Sequence, residues 1–77
     1  MERLQLRKIS GKECVKILCN KFGFSIARQK GNHIVLRKET SEGTIGTVPN
    51  HKELKIGTLK NILELAKIQE DEFVRYQ

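Results

Sequence analysis

The stretch that decides the fold runs Arg28-Gln29-Lys30-Gly31-Asn32-His33-Ile34-Val35-Leu36-Arg37-Lys38. Two runs rich in basic residues meet at Gly31-Asn32, where glycine tolerates a positive φ and asparagine visits the left-handed region more readily than most residues. This pattern predicts a β-hairpin whose second strand begins at His33. Four basic side chains lie within a few residues of this histidine: Arg28, Lys30, Arg37 and Lys38. A phosphate group is the ligand that so much positive charge around an imidazole favours.

The length and charge of the chain limit what it can be. Its 77 residues predict a single domain spanning residues 1–77, with a core too small to confer high stability. The formal net charge of +6 at pH 7 indicates an anionic partner. Nucleic acid is the first candidate, an acidic protein the second and a membrane surface a distant third.

The apolar segments are too short for a membrane span, which needs roughly 18 apolar residues, and no apolar stretch of a secretory signal follows the basic N-terminus. We therefore expect a cytoplasmic protein. Cys14 and Cys19 agree with this location, because their spacing on one predicted helix turns their side chains apart and they are most simply reduced, small apolar residues. A metal site would need further Cys or His residues, and the chain has two histidines.

A first helix is predicted to begin at Ser10. Glu13 stands three residues later, and a serine and a glutamate at this spacing form a capping box that satisfies N–H groups at a helix start. Apolar residues at i, i+3, i+4 and i+7 then give one buried stripe, which comprises Val15, Leu18, Cys19 and Phe22. Gly23 ends the helix, because glycine suits the left-handed position that follows a helix. The preceding residues 1–9 are either a tethered extended arm or a frayed end.

Three strands are predicted, over residues 24–30, 33–38 and 44–48, with Pro49 ending the third and residues 39–43 forming a polar turn. A two-residue turn places Lys30 opposite His33 and Arg28 opposite Val35, all on one side of the sheet. The other side then carries the residues that meet the helices: Ala27, Ile34 and Leu36. Gln29 fits this register poorly, which leaves a longer loop open as an alternative.

A second helix is predicted after a polar loop over residues 50–55. Its buried stripe again follows the i, i+3, i+4, i+7 spacing and comprises Leu59, Ile62, Leu63 and Ala66. Gly57 and Thr58 lie in its first turn, where unpaired N–H groups and the nearby Lys55 could hold an anion, although a purely structural role is the simpler interpretation. Acidic residues at positions 70–72 predict a final short helical turn.

Three motifs in a fixed order carry a resemblance to a known family. They are Gly31-Asn32-His33 in the hairpin, Val48-Pro49-Asn50-His51 at the third strand, and Gly57-Thr58-Leu59 at the second helix. With the residues between them, from about Leu4 to Phe73, they resemble the HicA toxins of bacterial and archaeal toxin–antitoxin pairs. Two positions depart from the family pattern: Asn32 stands where serine is usual, and Lys67 follows Ala66 where glycine is common.

The resemblance implies both a fold and an activity. The fold is a small α+β domain like a double-stranded-RNA-binding domain, with α-β-β-β-α order, a three-stranded antiparallel sheet packed on two helices, and here a short C-terminal helical turn. The activity is that of an mRNA interferase, an endoribonuclease that inhibits translation or growth until a HicB antitoxin covers its active site. No cofactor and no metal are implied.

The chemistry of the residues agrees with this activity. Cleavage of RNA without a metal requires a base for the 2′-hydroxyl proton and cations for the charge that grows on the phosphoryl oxygens. His33 is the credible catalytic base. The residues expected to bind RNA are Arg28, Lys30, Asn32, Arg37, Lys38 and Lys55. His51 is either a second acid, for the departing 5′ oxygen, or a brace for its loop.

Two other functions fit the same residues. A non-catalytic module of the double-stranded-RNA-binding type would read A-form shape and phosphates without chemistry. A pure interaction domain would use its positive surface to dock an acidic partner protein. A histidine at the start of a strand is most often a plain surface residue, and the basic side chains could simply protect strand edges from aggregation.

Overall fold

The fold is α+β, with one helix, three antiparallel strands and two further helices in chain order. The computed structural model describes residues 5–38 and 44–77. The elements are α1 (Gly11–Lys21), β1 (Phe24–Lys30), β2 (His33–Lys38), β3 (Thr44–Pro49), α2 (Ile56–Leu65) and α3 (Glu70–Val74). The sheet has the order β1-β2-β3, so this is the predicted arrangement resembling a double-stranded-RNA-binding domain. The turn predicted at residues 39–43 lies outside the described residues.

Helix α1 begins and ends where the sequence predicts. The Glu13 N–H donates a hydrogen bond of 3.0 Å to the Ser10 hydroxyl, and Gly23 adopts a φ of 77° just after the helix. The buried stripe differs slightly from the predicted one. Cys14, which the prediction left out of the stripe, is fully buried, whereas Cys19 and Phe22 are only half-buried. The buried stripe of α1 therefore begins one residue earlier than predicted, and its C-terminal end is partly exposed.

The β1–β2 hairpin has the predicted two-residue turn, with Gly31 at a φ of 58°. Lys30 pairs with His33 and Arg28 pairs with Val35, as predicted. The prediction that Ala27 faces the helices is wrong, because the register shifts between Ile26 and Arg28 and leaves Ala27 exposed in a β-bulge. Such a bulge adds one residue to a strand and changes which residues share a face.

Gln29 stays in the strand because the two-residue turn sets its pairing, so the longer loop considered as an alternative is not formed. It pairs with Ile34 and yet is exposed. Ile26 pairs with the buried Leu36 and is 58% exposed. The helices therefore cover one face of β2 and β3 but leave most of the edge strand β1 in solvent.

The core lies between that sheet face and the helices. Its fully buried side chains include Leu36 and Val48 from the sheet, Leu59 and Leu63 from α2, and Phe73 from α3. The four residues of the predicted α2 stripe are all buried, and α3 begins at the predicted acidic turn. β3 extends one residue further than predicted and includes Pro49. None of the helices within residues 5–38 and 44–77 is long and apolar enough to cross a lipid bilayer.

Residues 5–9 form a tethered arm, which settles the choice that the sequence left open for this part of the chain. The Ile9 carbonyl accepts a hydrogen bond of 2.7 Å from the Leu54 N–H. Leu54 is fully buried, although the loop that contains it reads as polar. At the other end of the arm, the Gln77 side-chain amide both accepts from the Arg7 N–H and donates to the Arg7 carbonyl. The two ends of the described chain are thus bonded to each other.

Candidate active site

The face of the sheet that carries no helix, the open face, presents His33 to solvent. Side chains alternate between the two faces of a strand, and Ile34 and Leu36 of β2 are buried against the helices. His33, Val35 and Arg37 therefore share the open face. The imidazole of His33 is exposed at the hairpin end of the strand. A substrate can reach it without any rearrangement of the core.

Two of the predicted cationic residues stand beside this imidazole. Lys30 is the cross-strand partner of His33, and Arg28 is the partner of Val35, the next residue of β2 on the same face. Paired Cα atoms of antiparallel strands lie roughly 5 Å apart, and the next same-face pair follows after about 7 Å along the strand. Both cationic side chains are exposed. An anion bound at the imidazole would therefore meet an ammonium and a guanidinium group.

The other two hairpin cations lie farther away. Arg37 shares the open face but is four residues along β2, about 13 Å from His33 at 3.3 Å per residue. Lys38 follows it and points to the opposite face, where its Nζ lies 5.8 Å from the centroid of the Phe24 ring. The structure thus brings Arg28 and Lys30 to His33 and leaves Lys38 on the helix-bearing side of the sheet.

The next loop closes against the hairpin. His33 pairs with Pro49 of β3, and the Asn50 N–H donates a hydrogen bond of 2.5 Å to the Asn32 carbonyl. Asn32 is exposed at the turn, so its main chain is tied down while its carboxamide faces solvent. Lys55, at the N-cap of α2, is exposed as well. Asn32 and His33 of the first family motif therefore lie directly beside Pro49 and Asn50 of the second motif.

His51 contacts α1 through its main chain. Its carbonyl accepts a hydrogen bond of 2.8 Å from the Gly11 N–H, and its imidazole is exposed. The loop is thus braced by the backbone of His51, and a role of its imidazole in acid chemistry stays a prediction. Gly11 is not among the residues predicted from the sequence. The available signal was a glycine in the first helical position after the Ser10 cap, where helix geometry alone calls for no glycine.

The two thiols do not belong to this site. Burial raises the pKa of the Cys14 thiol to about 12 and also raises the pKa of Cys19. Both cysteines are free, and a thiol that stays protonated is a poor nucleophile. Within residues 5–38 and 44–77, no group of three or more His, Cys, Asp or Glu side chains is placed to hold a metal ion.

A comparison with protein families agrees with this geometry. A family model described as the HicA toxin of bacterial toxin-antitoxin matches residues 11–68, which include α1, the sheet, α2 and the histidine-bearing hairpin. The chain belongs to the HicA toxin family. This HicA chain matches no curated protein and no solved structure. Family membership implies the toxin role of a toxin–antitoxin pair, with RNA as the general substrate and a HicB antitoxin as the partner.

Proposed function

We propose that this HicA protein is an endoribonuclease that cleaves single-stranded mRNA in the cytoplasm, with His33 as its catalytic base and without a metal ion. The observation that carries the proposal is the exposure of His33 on the open face, with Lys30 as its cross-strand partner and Arg28 at the next pair. An imidazole exchanges protons near neutral pH, and the two cations attract the phosphate that it must approach.

In the proposed reaction His33 removes the proton from a ribose 2′-hydroxyl. The 2′ oxygen then bonds to the adjacent phosphorus while the bond from phosphorus to the 5′ oxygen breaks. The products are a 2′,3′-cyclic phosphate and a 5′-hydroxyl, whose proton comes from water or from the His51 imidazole. Lys30 and Arg28 stabilise the negative charge on the non-bridging oxygens as the transition state forms.

The first test is cleavage of a labelled single-stranded RNA in excess EDTA. The wild-type protein should cut the RNA, and the His33→Ala variant should not. Because His33 is exposed, this variant should unfold at the wild-type temperature, as followed by circular dichroism. An RNA whose 2′-hydroxyls are methylated should stay intact with both proteins. Wild-type cutting of that methylated RNA, or full activity of His33→Ala, would refute the proposed role of the histidine.

A matched variant at the second histidine separates the two roles considered for His51. If its imidazole supplies the proton to the 5′ oxygen, His51→Ala should lower kcat by about 100-fold, the lower range for general acid catalysis. If only its carbonyl matters, kcat should be unchanged, because alanine keeps the carbonyl that accepts from Gly11. Either result leaves the assignment of His33 intact.

Neutralisation by a HicB-type antitoxin is the regulatory part of the proposal. An antitoxin that covers the open face would bury His33 and compete with RNA for Arg28 and Lys30. Adding the purified antitoxin should then stop cleavage in proportion to the complex formed. An antitoxin that binds while RNA is still cut at the free rate would rule out coverage of this face.

A non-catalytic RNA-binding function is the second candidate, and the fold favours it. The arrangement of helix, three strands and helices resembles that of double-stranded-RNA-binding domains, which read shape and phosphates. This candidate predicts tight, salt-dependent binding of duplex RNA that remains intact, with the same affinity for the wild type and His33→Ala.

A further inference from the structure

A cleft lies beside the candidate active site, between the start of α1 and the loop that follows β3. It has a volume of about 340 Å³ and is lined by Ser10, Lys12, Asn50, His51 and Lys52. We propose that this loop cleft binds a phosphate of the RNA strand next to the phosphate that is cleaved at His33. The inference rests on the proposed ribonuclease function and extends it, because neither Lys12 nor Lys52 belongs to the predicted site.

The walls of the loop cleft are fixed by backbone contacts. A Cβ added to Gly11 would lie 2.1 Å from the Pro49 carbonyl oxygen, so the start of α1 and the end of β3 approach as closely as their main chains allow. The Gly11 N–H also donates to the His51 carbonyl. The Ser10 hydroxyl, which lines the cleft, already accepts from the Glu13 N–H. Main-chain contacts of the fold therefore form the cleft, with Lys12 on α1 and Lys52 on the loop that follows β3.

The charge of the loop cleft suits a phosphate. Lys12 lies on α1 and Lys52 on the loop after β3, both are exposed, and the exposed His51 also lines the cleft. Among the described residues, those that line the cleft include no carboxylate. The carboxylate of Glu53, next to Lys52 in the chain, lies 3.9 Å from the Lys8 ammonium. Within residues 5–38 and 44–77, neither Lys12 nor Lys52 forms an ion pair with Glu53 or with Glu13, the carboxylates next to them in the chain.

The loop cleft and His33 are connected through Asn50. Asn50 belongs to both places, because it lines the cleft and its N–H donates to the carbonyl of Asn32, the residue before His33. His33 pairs with Pro49, whose Cα is one peptide bond, 3.8 Å, from that of Asn50. Paired Cα atoms are roughly 5 Å apart, so Asn50 and His33 are separated by at most about 9 Å. This short main-chain separation supports the proposal that one RNA strand contacts both His33 and the cleft.

The test uses a 2′-O-methyl RNA oligonucleotide with one free 2′-hydroxyl, which defines the only bond that can be cut. Variants of this RNA carry an uncharged methylphosphonate in place of the phosphate on either side of that bond. The proteins are the wild type, the double variant Lys12→Ala/Lys52→Ala and the control Lys60→Ala, which removes an exposed lysine of α2 outside the cleft.

Removing the two lysines and removing the charge of one phosphate should each raise KM, and the two changes together should raise it no further. The double variant should raise KM for the charged RNA about tenfold with kcat unchanged, because one charge-assisted contact is lost. One of the two methylphosphonates should raise KM of the wild type by a similar factor and have little further effect on the double variant. Lys60→Ala should behave as the wild type does. If the double variant has the same KM as Lys60→Ala, or if the increases in KM from the protein variant and from the methylphosphonate multiply, the cleft does not hold that phosphate.

Binding measured by fluorescence anisotropy separates this inference from the proposed function. In a His33→Ala background no cleavage is needed, and the double variant should bind the same RNA about tenfold more weakly, with a log–log salt slope reduced by roughly 0.7 for one lost phosphate contact. If the wild type fails to cut RNA, the proposed function fails, and the anisotropy series still decides whether the cleft holds a phosphate. Unchanged affinity and slope would overturn the inference even in a protein that cuts.

Discussion

The Gly11 main chain lies against the carbonyl oxygen of Pro49, with a distance of only 2.1 Å from that oxygen to the position that a Cβ on Gly11 would occupy. A second backbone atom, the Cα of Asn50, lies 3.1 Å from the same position. Neither can move as a flexible side chain does. The start of α1 is therefore packed against the strand end that pairs with His33, and glycine at this helix start allows the loop of the candidate active site to approach α1.

Replacing Gly11 with alanine should push this loop away from α1. We expect a loss of about 1–3 kcal/mol in the free energy of unfolding, as for other overpacked contacts. Chemical denaturation measures it, and RNA cleavage should fall because the partner strand of His33 is displaced. Gly57→Ala is the control, since nothing lies within 4 Å of a Cβ at Gly57 in α2. If Gly11→Ala has the stability and the cleavage rate of the wild type, the loop can move away from α1 without a loss in the free energy of unfolding.

The end of α2 offers a stabilising substitution. Lys67 has a φ of 59°, while the Ile68 N–H donates to the Leu63 carbonyl and the Lys67 N–H to the Glu64 carbonyl, the bonding pattern of a Schellman motif. A side chain at that φ costs about 1 kcal/mol relative to glycine. Lys67→Gly should therefore raise the free energy of unfolding by about 0.5–1 kcal/mol, seen as a higher Tm.

The control for this substitution is Lys60→Gly, which makes the same chemical change inside α2. Glycine in a helix interior costs about 1 kcal/mol, so the two variants should shift Tm in opposite directions. A lower Tm for both would mean that the Lys67 side chain stabilises the protein by more than its backbone conformation costs.

The sequence predicted the elements and the hairpin register because glycine, proline and the apolar spacing act locally. It could not place the bulge at Ala27, since a single methyl group contributes too little burial energy to decide between the two faces of a strand. Nearness in the chain suggests one role for Arg37 and Lys38, although successive residues of a strand lie on opposite faces. The approach of Gly11 to Pro49 joins distant parts of the chain, and no local pattern encodes it.

The two lysines of the hairpin should contribute differently to RNA binding. Lys30 pairs with His33 on the open face, whereas the Lys38 ammonium lies over Phe24 on the other side of the sheet. Lys30→Ala should weaken RNA binding several-fold and lower the log–log salt slope by roughly 0.7, the value for one phosphate contact. Lys38→Ala removes the same charge and should leave the slope unchanged. Equal slopes for the two variants in anisotropy titrations would contradict this division of the sheet into two faces.

Alkaline pH should destabilise the protein through Cys14. Burial raises the pKa of its thiol from 9.0 to about 12. Between these values the unfolded chain loses the thiol proton and the folded chain keeps it, so the free energy of unfolding falls as pH rises, by at most about 1.4 kcal/mol per pH unit. Below pH 9 this contribution is fully present. Denaturation of the wild type and Cys14→Ala from pH 7 to 10.5 isolates it from lysine titration, and their difference in stability should shrink above pH 9. Parallel profiles for the two proteins would mean that this thiol ionises as readily folded as unfolded.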